Sequence, residues 1–324
     1  MRHLVCRSFG TSDGLIVQAS PDPEPGPGEV QVRIHASNIA FVDRLLVRGS
    51  YQFRPHVPFT PGVVGAGVVV ATGSDVKHLQ PGNRVAVLKA DFGVWSTDVV
   101  VSADAVVQMP SGVSDVAAVS SIEAYGTASY ALEERGRVRA GDTVLVLGAS
   151  GAVGHAAVEV ALHLDARVIA VTSDPDLWAG SKIKPHFILD RRTTHLREAM
   201  RELFPDGVDI VVDPVGGPMS EAALRSLNFG GRHLIVGFAS GTIPKLPVNY
   251  VLLRNRTVVG VEWASWIRAN PKHVARSMEI VLTRLARGAF SAPDADTVTL
   301  DQLPDVLLAS VPTSGLRRTV VLPH

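Results

Sequence analysis

The stretch VLVLGASGAVGHAAVEVALHL, residues 144–164, carries the most specific structural signal in this sequence. An apolar strand runs into three glycines spaced three residues apart, and an amphipathic helix follows at once. A tight turn, a close approach of the backbone to a pyrophosphate and close packing of the helix on the strand each require a residue without a side chain. The start of the helix adds unpaired N–H groups and a positive dipole end, which favour a phosphate. The stretch therefore predicts a dinucleotide-binding unit.

The loop and the first turn of this helix supply the candidate ligands of the cofactor phosphates. They are Gly148, Ser150, Gly151, Ala152, Val153 and Gly154. A glycine turn that only packs an ordinary α/β domain is the alternative, because a glycine trio alone is a weak signal. Its place after a strand, before a helix and at the head of further strand–helix units favours dinucleotide binding.

The segments beyond the loop alternate between strands and helices. The apolar strands RVIAVTS, HFILD, VDIVVDPVG and RHLIVGFAS are separated by segments of helical pattern. Apolar strands joined by helices indicate a parallel sheet covered on both faces. The predicted fold class is α/β, with a Rossmann doubly wound parallel sheet over residues 114–256. Residues 1–113 differ, since their short valine-rich runs between Gly and Pro residues indicate a β-rich domain.

The composition limits the class of protein. A length of 324 residues suggests two domains. Lys plus Arg and Asp plus Glu each total 31, so the net charge is zero and neither a nucleic-acid nor a membrane partner is expected. The single cysteine, Cys6, excludes an internal disulfide and a cysteine-rich zinc site. The first residues lack the apolar core of a secretory signal, so a cytoplasmic location is expected.

Segments from most of the chain resemble the medium-chain dehydrogenase/reductase superfamily, and within it the zinc-independent quinone oxidoreductase branch. They are FVDRLLVRGSYQFRPHVPFTPG (41–62), AYGTASYAL (124–132), GDTVLVLGASGAVG (141–154) and VDIVVDPVGG (208–217). The resemblance implies a GroES-like β-rich catalytic domain of residues 1–113 and 257–324, a Rossmann domain of residues 114–256, and an active site between them. It also implies a homodimer joined through an edge strand of the Rossmann sheet.

The activity that the resemblance implies is the NADPH-dependent reduction of a small-molecule quinone or another α,β-unsaturated carbonyl compound (an enone), without a metal. Hydride transfer needs little from ionisable side chains, because the cofactor supplies the reactive bond and the protein holds donor and acceptor together away from water. An enoyl-thioester reductase is the nearest alternative. A non-catalytic NADPH-binding redox sensor of the same fold is the alternative from another class.

By the same resemblance, Tyr51 and Asp43 are the candidate catalytic residues. Tyr51 could donate a hydrogen bond to a carbonyl oxygen, or serve as a core or rim aromatic residue. Asp43 matches an aspartate near the pocket of the family. It could orient Tyr51 or Arg44, or cap local structure.

Four further residues match family positions near the cofactor. Thr127 corresponds to a threonine next to the cofactor, and Tyr125 to a residue that could line the pocket. Phe238 and Asn255 correspond to contacts with the nicotinamide end. A core position is the alternative for Phe238, and a turn-forming role is the alternative for Asn255.

The end of the strand RVIAVTS bears on the choice of cofactor. An NAD-preferring site usually ends this strand with an acid that binds the ribose hydroxyls. Here Thr172 and Ser173 occupy the end, and their hydroxyls can bind a 2′-phosphate without repelling it, although two aspartates follow closely. We therefore predict NADPH, with NADH as the alternative. The basic candidates for binding the 2′-phosphate are Arg191, Arg192, Lys182 and Lys184.

Three apolar residues depart from the family pattern. Zinc-dependent members carry a cysteine in the segment that contains Ala40 and a His-Glu pair at Val63 and Val64; these three residues cannot ligate zinc, so no metal is expected. Quinone reductases of the branch commonly have asparagine at Ala40 and glutamate at Val64, and Asn38 is out of register with that asparagine. The run PFTPGVVGAGVVVATG, residues 58–73, has no ionisable side chain and is predicted to pack beneath the nicotinamide as a dry wall.

Overall fold

The structure is a computed structural model of the chain and describes residues 1–179, 183–309 and 317–324. These residues form two compact units. The first unit contains residues 1–123, 264–309 and 317–324, and the second contains residues 124–179 and 183–263. The sequence pattern places the borders after 113 and before 257, and both borders in the structure lie further along the chain.

The N-terminal part of the chain is built mainly of strands, in line with its many valines. Its elements are β1 (Arg2–Cys6), β2 (Leu15–Ala19), β3 (Glu29–Asn38), α1 (Phe41–Val47), β4 (Val64–Thr72), β5 (Arg84–Leu88), β6 (Asp98–Ser102), β7 (Val106–Gln108) and α2 (Asp115–Ser129). The Ser114 hydroxyl accepts a hydrogen bond from the Ala117 N–H at 3.1 Å, so Ser114 caps the start of α2.

The middle of the chain alternates between strands and helices, and the end is mixed. A π-helical turn (Tyr130–Arg135) continues α2. The following elements are β8 (Thr143–Leu147), α3 (Ala152–His163), β9 (Arg167–Thr172), β10 (Phe187–Asp190), α4 (Leu196–Leu203), β11 (Val208–Asp213), α5 (Pro218–Arg225), β12 (Leu227–Ile235), α6 (Asn249–Leu252), β13 (Thr257–Gly260), α7 (Trp263–Ala269), α8 (Val274–Ala286), β14 (Ala295–Thr299), α9 (Leu303–Leu308) and β15 (Arg318–Leu322).

The second unit contains the predicted parallel sheet. Its strands lie in the order β10-β9-β8-β11-β12-β13, and every neighbouring pair runs parallel. Buried side chains of β8, β9 and β11 pack with those of α4 and α5 in one apolar core. The strand order reverses between β8 and β11, and such a switch point is where open α/β sheets bind ligands, beyond the carboxyl ends of the strands.

The outermost strand of this sheet is β13. It pairs with β12 from Arg232 opposite Thr257 to Ile235 opposite Gly260. Residues 257–260 therefore belong to the parallel sheet, and not to the catalytic domain in which the sequence pattern places them.

The first unit contains a largely antiparallel sheet. Its strands lie in the order β14-β15-β3-β4-β5-β7, β6 also pairs with β3, and β1 and β2 form a separate hairpin. The valine-rich faces of β3, β4, β5 and β6 meet in one buried cluster. This arrangement confirms the β-rich domain that accompanies the Rossmann sheet.

The glycines of residues 58–73 are explained by close contacts inside the first unit. A Cβ atom at Gly67 would lie 1.9 Å from the carbonyl oxygen of Arg33 on β3. A Cβ atom at Gly62 would lie 2.5 Å from a ring carbon of Trp95, and one at Gly73 would lie 1.9 Å from the carbonyl oxygen of Gly26. Contacts with neighbouring strands and loops therefore explain these glycines, and the wall beneath the nicotinamide stays a prediction.

The helices within the described residues were also compared with the requirements of a membrane span. None of them has the length and hydrophobicity needed to cross a bilayer.

Candidate functional site

The glycine loop lies at the carboxyl end of β8, next to the switch point of the sheet. Gly148 directly follows the strand and has φ +60°, a left-handed conformation that favours glycine. A Cβ atom there would also lie 2.7 Å from a methyl carbon of Val215, which follows β11. Gly148 is therefore required by the turn and by its packing.

The other two glycines of the loop have different roles. A Cβ atom at Gly154, inside α3, would lie 2.2 Å from the carbonyl oxygen of Gly148, so glycine lets the helix approach the strand. A Cβ atom at Gly151 would meet only that same oxygen, at 3.3 Å, and Gly151 is exposed with an extended backbone. Space beside Gly151 is therefore left open, which suits a ligand approaching the backbone.

The start of α3 is prepared for an anion. Gly151 occupies the N-cap position and offers no side chain to bind the first amides of the helix. Ala152 and Val153 form the first turn, and Ser150 is buried beneath it. Unpaired amides, the helix dipole and the open space at Gly151 together fit the pyrophosphate of a dinucleotide.

The end of β9 differs from the expectation for Thr172. The Thr172 side chain is buried, and its hydroxyl accepts from the Asp174 N–H at 2.9 Å and donates to the Asp174 carbonyl oxygen at 3.2 Å. This local turn occupies the hydroxyl, so Thr172 is not available for a 2′-phosphate. Ser173 is half-buried and keeps its candidacy.

The basic candidates for binding the 2′-phosphate differ in their surroundings. Arg192 is bound to Asp190 through several hydrogen bonds, the shortest being 2.8 Å. Arg191 is exposed, and its N–H donates to the Thr172 carbonyl oxygen at 2.9 Å, which fixes its backbone at the end of β9. Lys184 is exposed, and Lys182 lies outside the described residues. Arg191 is thus an exposed cation whose backbone is fixed at the end of β9.

The turn after β11 lies at the same edge of the sheet. The Asp213 carboxylate accepts hydrogen bonds from the N–H groups of Val215 at 3.0 Å and Gly216 at 2.8 Å, and from the Ser220 hydroxyl. The His233 Nε2 atom lies 3.1 Å from the same carboxylate. Burial alone would raise the pKa of Asp213, but these hydrogen bonds outweigh burial and hold it below its ordinary value. Asp213 therefore organises the turn.

Phe238 packs against this turn. Its ring carbon Cδ1 lies 3.0 Å from the place where a Cβ atom at Gly216 would stand. Phe238 follows the carboxyl end of β12, so the structure places it at the same sheet edge as the glycine loop.

Asn255 is placed elsewhere. It has φ +47° and is exposed, and its N–H donates to the Leu252 carbonyl oxygen at 3.3 Å in the turn before β13. Because β13 is parallel to β12, the turn lies at the amino edge of the sheet, opposite the glycine loop. The structure therefore supports the turn-forming role of Asn255 and does not bring it to the cofactor loop.

The α2 residues Thr127 and Tyr125 have different surroundings. Thr127 is half-buried. Tyr125 is buried, and its hydroxyl donates to a carboxylate oxygen of Glu159 on α3 at 2.6 Å. Tyr125 is therefore committed to a buried contact inside the second unit, which does not suit a residue that lines a pocket.

In the first unit, Asp43 caps α1. Its Oδ2 atom accepts a hydrogen bond from the Ala40 N–H at 2.8 Å, and the side chain is buried. The neighbouring Arg44 guanidinium donates to the Val306 carbonyl oxygen instead. Tyr51 is half-buried in the loop after α1. Of the roles expected for Asp43, the structure shows the capping one.

A second carboxyl group, which the sequence interpretation missed, belongs to Glu123. Its Oε2 atom accepts a hydrogen bond from the Asn38 Nδ2 at 2.7 Å. Burial raises the pKa of Asp43 well above its ordinary value, and the charge of Glu123 raises it further. Burial likewise raises the pKa of Glu123, against the opposing hydrogen bond from Asn38. The one available signal was an acid within the apolar helical segment VAAVSSIEAYGTA.

The stability of the protein is expected to fall with rising pH because of Asp43. Above about pH 4 an aspartate of the unfolded chain ionises, whereas the folded chain keeps the proton on Asp43. The unfolded state then binds fewer protons, so the free energy of unfolding decreases, by at most about 1.4 kcal/mol per pH unit, until the folded carboxyl also ionises. Asp43→Asn removes this contribution and keeps an acceptor for the Ala40 N–H.

Urea denaturation at about pH 5 and about pH 8 measures the effect. Wild type should lose more stability between the two conditions than Asp43→Asn does. The exposed Asp104 offers a matched control, and Asp104→Asn should behave like wild type. An Asp43→Asn variant with the full wild-type dependence would contradict the prediction.

The described residues were also searched for metal ligands. Among them, no three His, Cys, Asp or Glu side chains come together in a way that could hold a metal ion.

Comparison with known proteins gives matches over both units. Residues 26–111 match the family model of the alcohol dehydrogenase GroES-like domain, and residues 152–279 match that of the zinc-binding dehydrogenase. The chain is 35% identical to quinone oxidoreductase-like protein 2 of Bos taurus over 297 residues, which cover 91% of this chain and 84% of the relative. It is 30% identical over 315 residues to a mycocerosic acid synthase-like polyketide synthase of Mycobacterium tuberculosis, covering 91% of this chain and 15% of that protein.

Among solved structures, the crystal structure of a probable oxidoreductase from Mycobacterium abscessus is similar over the whole chain. The two sequences are 29% identical, the TM-score is 0.82, and the alignment covers 100% of this chain and 99% of the other. The similarity therefore includes both the glycine loop and the first-unit residues around Asp43.

Proposed function

The chain belongs to the medium-chain dehydrogenase/reductase superfamily, in its quinone oxidoreductase branch, and on that premise we propose that it reduces quinones or other α,β-unsaturated carbonyl compounds with NADPH and without a metal. It is an oxidoreductase whose family uses a nicotinamide cofactor. The observation that carries the proposal is the glycine loop, where Gly151 leaves an open approach to the uncapped start of α3. A cytoplasmic location is part of the proposal.

The absence of a metal from the proposal rests on the residues at the family's ligand positions. Ala40, Val63 and Val64 offer no nitrogen, sulfur or oxygen donor in their side chains. The name of the family model over residues 152–279 refers to zinc, but that range does not include Ala40, Val63 or Val64. A reaction that moves hydride does not itself require a Lewis acid.

The chain's own residues have limited tasks in this reaction. The bound nicotinamide, when reduced, supplies a hydride. The amides at the start of α3 hold the pyrophosphate. Phe238 and the turn at Gly216 lie at the same edge of the sheet as these amides. Tyr51, half-buried in the loop after α1, is the proposed donor of a hydrogen bond to the substrate oxygen. Hydride transfer is favoured when the reacting groups are held in place away from water.

The test is NADPH consumption, followed by nicotinamide absorbance, with a simple ortho-quinone and with a small enone in the presence of a chelator. Parallel NADH reactions and enzyme-free controls correct for the direct reaction of quinones with the cofactor. Turnover that resists the chelator supports the proposal. Activity that disappears with the chelator and returns with zinc would contradict the metal-free part.

Two alternatives are separated by the same assay. The similarity to a polyketide synthase favours, as second candidate, an enoyl-thioester reductase, which adds hydride to the same kind of conjugated double bond. A short enoyl thioester is therefore a third substrate, and its exclusive turnover would favour that candidate. Tight NADPH binding without turnover of any of the three would favour the non-catalytic redox sensor.

The preference for NADPH is expected to depend on Arg191. Arg191 is exposed, and its backbone N–H donates to the Thr172 carbonyl oxygen at the end of β9, near where the 2′-phosphate of the adenosine ribose would lie. Arg191→Ala should raise the NADPH dissociation constant about tenfold, which corresponds to the loss of one charge-assisted contact, and leave NADH binding unchanged. Fluorescence titration measures both constants. Arg192→Ala is the matched control, because Arg192 is held by Asp190; equal losses for NADPH and NADH would refute the assignment.

We also propose a homodimer joined through β13. The strand is the edge of the sheet, and an edge presents unpaired N–H and C=O groups to another chain. Exposed apolar side chains flank it: Phe229 is 66% exposed, Leu252 is 76% exposed and Val258 is 40% exposed. The Gly230 N–H donates to the Arg254 carbonyl oxygen at 2.9 Å, which keeps these neighbours together. A second copy related by twofold symmetry would cover both the edge and the apolar side chains.

Val258→Lys is expected to convert this dimer to a monomer, because a buried lysine at an apolar edge would be unpaired. Sedimentation equilibrium reports the mass of wild type and variant. Leu203→Glu, at an exposed apolar residue of α4, is the control and should stay dimeric. A wild-type monomer, or a Val258→Lys dimer, would contradict the proposed interface.

A further inference from the structure

A buried polar network in the second unit joins three elements near the carboxyl edge of the parallel sheet. It consists of Asp213 at the end of β11, Ser220 in α5 and His233 in β12, and each of them is at most 1% exposed. All three lie in the same unit as the glycine loop. An aspartate is almost never fully buried unless it is paired. The reaction described so far gives His233 and Ser220 no task.

The two oxygens of the Asp213 carboxylate have different partners. Oδ1 accepts hydrogen bonds from the backbone N–H groups of Val215 at 3.0 Å and Gly216 at 2.8 Å. Oδ2 accepts a hydrogen bond from the Ser220 hydroxyl and lies 3.1 Å from the His233 Nε2 atom. One oxygen therefore holds the turn after β11, and the other ties the carboxylate to a helix and to the neighbouring strand. The carboxyl plane cannot rotate without breaking bonds on both sides.

The partner of His233 determines which ring nitrogen carries the hydrogen. An ionised carboxylate only accepts hydrogen bonds, so Nε2 carries the hydrogen and donates it to Asp213. The other ring nitrogen, Nδ1, is buried and has no partner within the described part of the chain. The hydrogen bond to Asp213 is therefore the polar contact that fixes this imidazole, and in return it fixes the carboxylate.

The turn that Asp213 holds supports the loop after β12. The Ser240 N–H donates to the Val215 carbonyl oxygen at 2.9 Å. In the opposite direction, the Gly217 N–H donates to the Thr242 carbonyl oxygen, also at 2.9 Å. Phe238 belongs to this loop. The two segments thus form one hydrogen-bonded platform at the carboxyl edge of the sheet.

Val215 also connects this platform to the glycine loop. A Cβ atom at Gly148 would lie 2.7 Å from a methyl carbon of Val215, so Val215 packs directly against the Gly148 backbone. The Gly148 carbonyl oxygen accepts a hydrogen bond from the Gly151 N–H at 2.9 Å. A displacement of Val215 would therefore reach the turn that presents the first amides of α3.

We propose that His233 is a positioning residue for the dinucleotide: by its hydrogen bond to Asp213, and together with Ser220, it holds the Val215 turn in the place where this turn supports the glycine loop. The role in binding rests on the function proposed above, whereas the ordering of the two loops does not. His233 and Ser220 are buried and do not touch the ligand; they act through Asp213.

The pKa of Asp213 agrees with this role. Burial would raise the pKa of Asp213, and the His233 hydrogen bond is the largest of the influences that lower it. The groups that face the carboxylate are His233 on β12, Ser220 on α5 and the amides of its own turn. Without His233 the pKa of Asp213 should rise, and a protonated carboxyl group is a weaker acceptor for the turn amides. The turn should then loosen as the pH falls.

Hydrogen exchange of the protein without cofactor tests the ordering of the loops. In His233→Leu, the amides of residues 215–217, of residues 239–242 and of the glycine loop should exchange about tenfold faster than in wild type. His233→Gln can place an N–H donor where Nε2 lies, so it should restore slow exchange. Ser220→Ala removes the other partner of Oδ2 and should give a smaller increase in the same segments. Equal exchange in wild type, His233→Leu and Ser220→Ala would overturn the proposal.

Met200→Ala is the matched control that separates positioning from a general loss of stability. Met200 is buried in the apolar core on α4 and has no place in the network. The variant should lower the free energy of unfolding, measured with urea, because it leaves a cavity. Exchange of the loop amides and affinity for NADPH should stay as in wild type. If Met200→Ala speeded the exchange of these amides as much as His233→Leu does, the proposal would be wrong.

Fluorescence titration with NADPH tests the role in binding separately. At about pH 7.5, His233→Leu should raise the dissociation constant about tenfold relative to wild type. This ratio should increase further as the pH is lowered to about 6, because Asp213 then takes up a proton in the variant. For His233→Gln the ratio should stay near one at both pH values.

The outcomes distinguish this role from the proposed function. Faster exchange in His233→Leu with wild-type affinity for NADPH would overturn the role in binding and leave the proposed function standing. Faster exchange in His233→Leu, together with a wild type that binds neither NADPH nor NADH, would retain the ordering of the loops and reject both the role in binding and the proposed function.

Discussion

Gly151→Val should abolish binding of the dinucleotide while the protein stays folded. The Gly151 backbone is extended, and a Cβ atom would meet only the Gly148 carbonyl oxygen, at 3.3 Å, so a side chain can be accommodated by a small shift. Beyond the Cβ atom, the two methyl groups of valine would fill the space in front of the first amides of α3. A pyrophosphate could no longer reach those amides, and its affinity should fall by about a hundredfold or more.

Fluorescence titration with NADPH measures the affinity, and thermal unfolding followed by circular dichroism measures the fold. Gly154→Val is the informative contrast, since a Cβ atom there would lie 2.2 Å from the Gly148 carbonyl oxygen and push α3 away from β8. That variant should lose stability as well as binding. Gly151→Val with wild-type affinity would show that the ligand does not approach this part of the loop.

The second large effect concerns stability, at Gly67. A Cβ atom there would lie 1.9 Å from the Arg33 carbonyl oxygen and 2.9 Å from its carbon, and both are backbone atoms of β3 that cannot rotate away. The β3–β4 pairing, which extends from Val30 opposite Thr72 to Ser37 opposite Gly65, would have to open locally. Gly67→Ala should therefore reduce the free energy of unfolding by about 3 kcal/mol.

Urea denaturation of wild type and Gly67→Ala measures this loss. Gly260→Ala in β13 is the matched control, because a Cβ atom at Gly260 would meet nothing within 4 Å. The control should change stability by less than about 0.5 kcal/mol. If the two variants were equally stable, the close approach of β3 and β4 would not be a constraint on the sequence.

The parts of the fold that follow from local pattern could be predicted from the sequence. The parallel sheet follows from apolar strands that alternate with helices, and the glycine loop follows from its position between a strand and a helix. The roles of Gly148 and Gly154 also follow, because a tight turn and close helix packing are local demands. The β-rich character of the first unit is recognisable from its valine runs and turn residues.

The remaining features depend on contacts between distant residues. Asn38 and Glu123 are separated by 85 positions, so nothing in either segment indicates that they meet. The close neighbour of Gly67 is the carbonyl oxygen of Arg33 on another strand, so the sequence around Gly67 does not indicate this contact. Asn255 was expected, by resemblance, to contact the nicotinamide end. It precedes β13, and the direction of this strand puts it at the amino edge of the sheet, opposite the glycine loop. The Thr172 hydroxyl was expected to bind a 2′-phosphate, but it closes a local turn with Asp174, which the residue types alone do not indicate.

The discontinuity of the first unit has a consequence for how the chain acquires its structure during synthesis. The described residues of the second unit, 124–179 and 183–263, all precede the C-terminal part of the first unit, so the parallel sheet can form as soon as residue 263 has left the ribosome. The first unit waits much longer: β15 pairs with β3 through Val320 opposite Asn38, and the Ile39 N–H donates to the Thr319 carbonyl oxygen at 3.1 Å. Contacts so distant in sequence are slow to form. The segment that carries Asn38 and Asp43 therefore reaches its final form only after β15 has been made, and the nascent chain can complete its parallel sheet before it completes the sheet of the first unit.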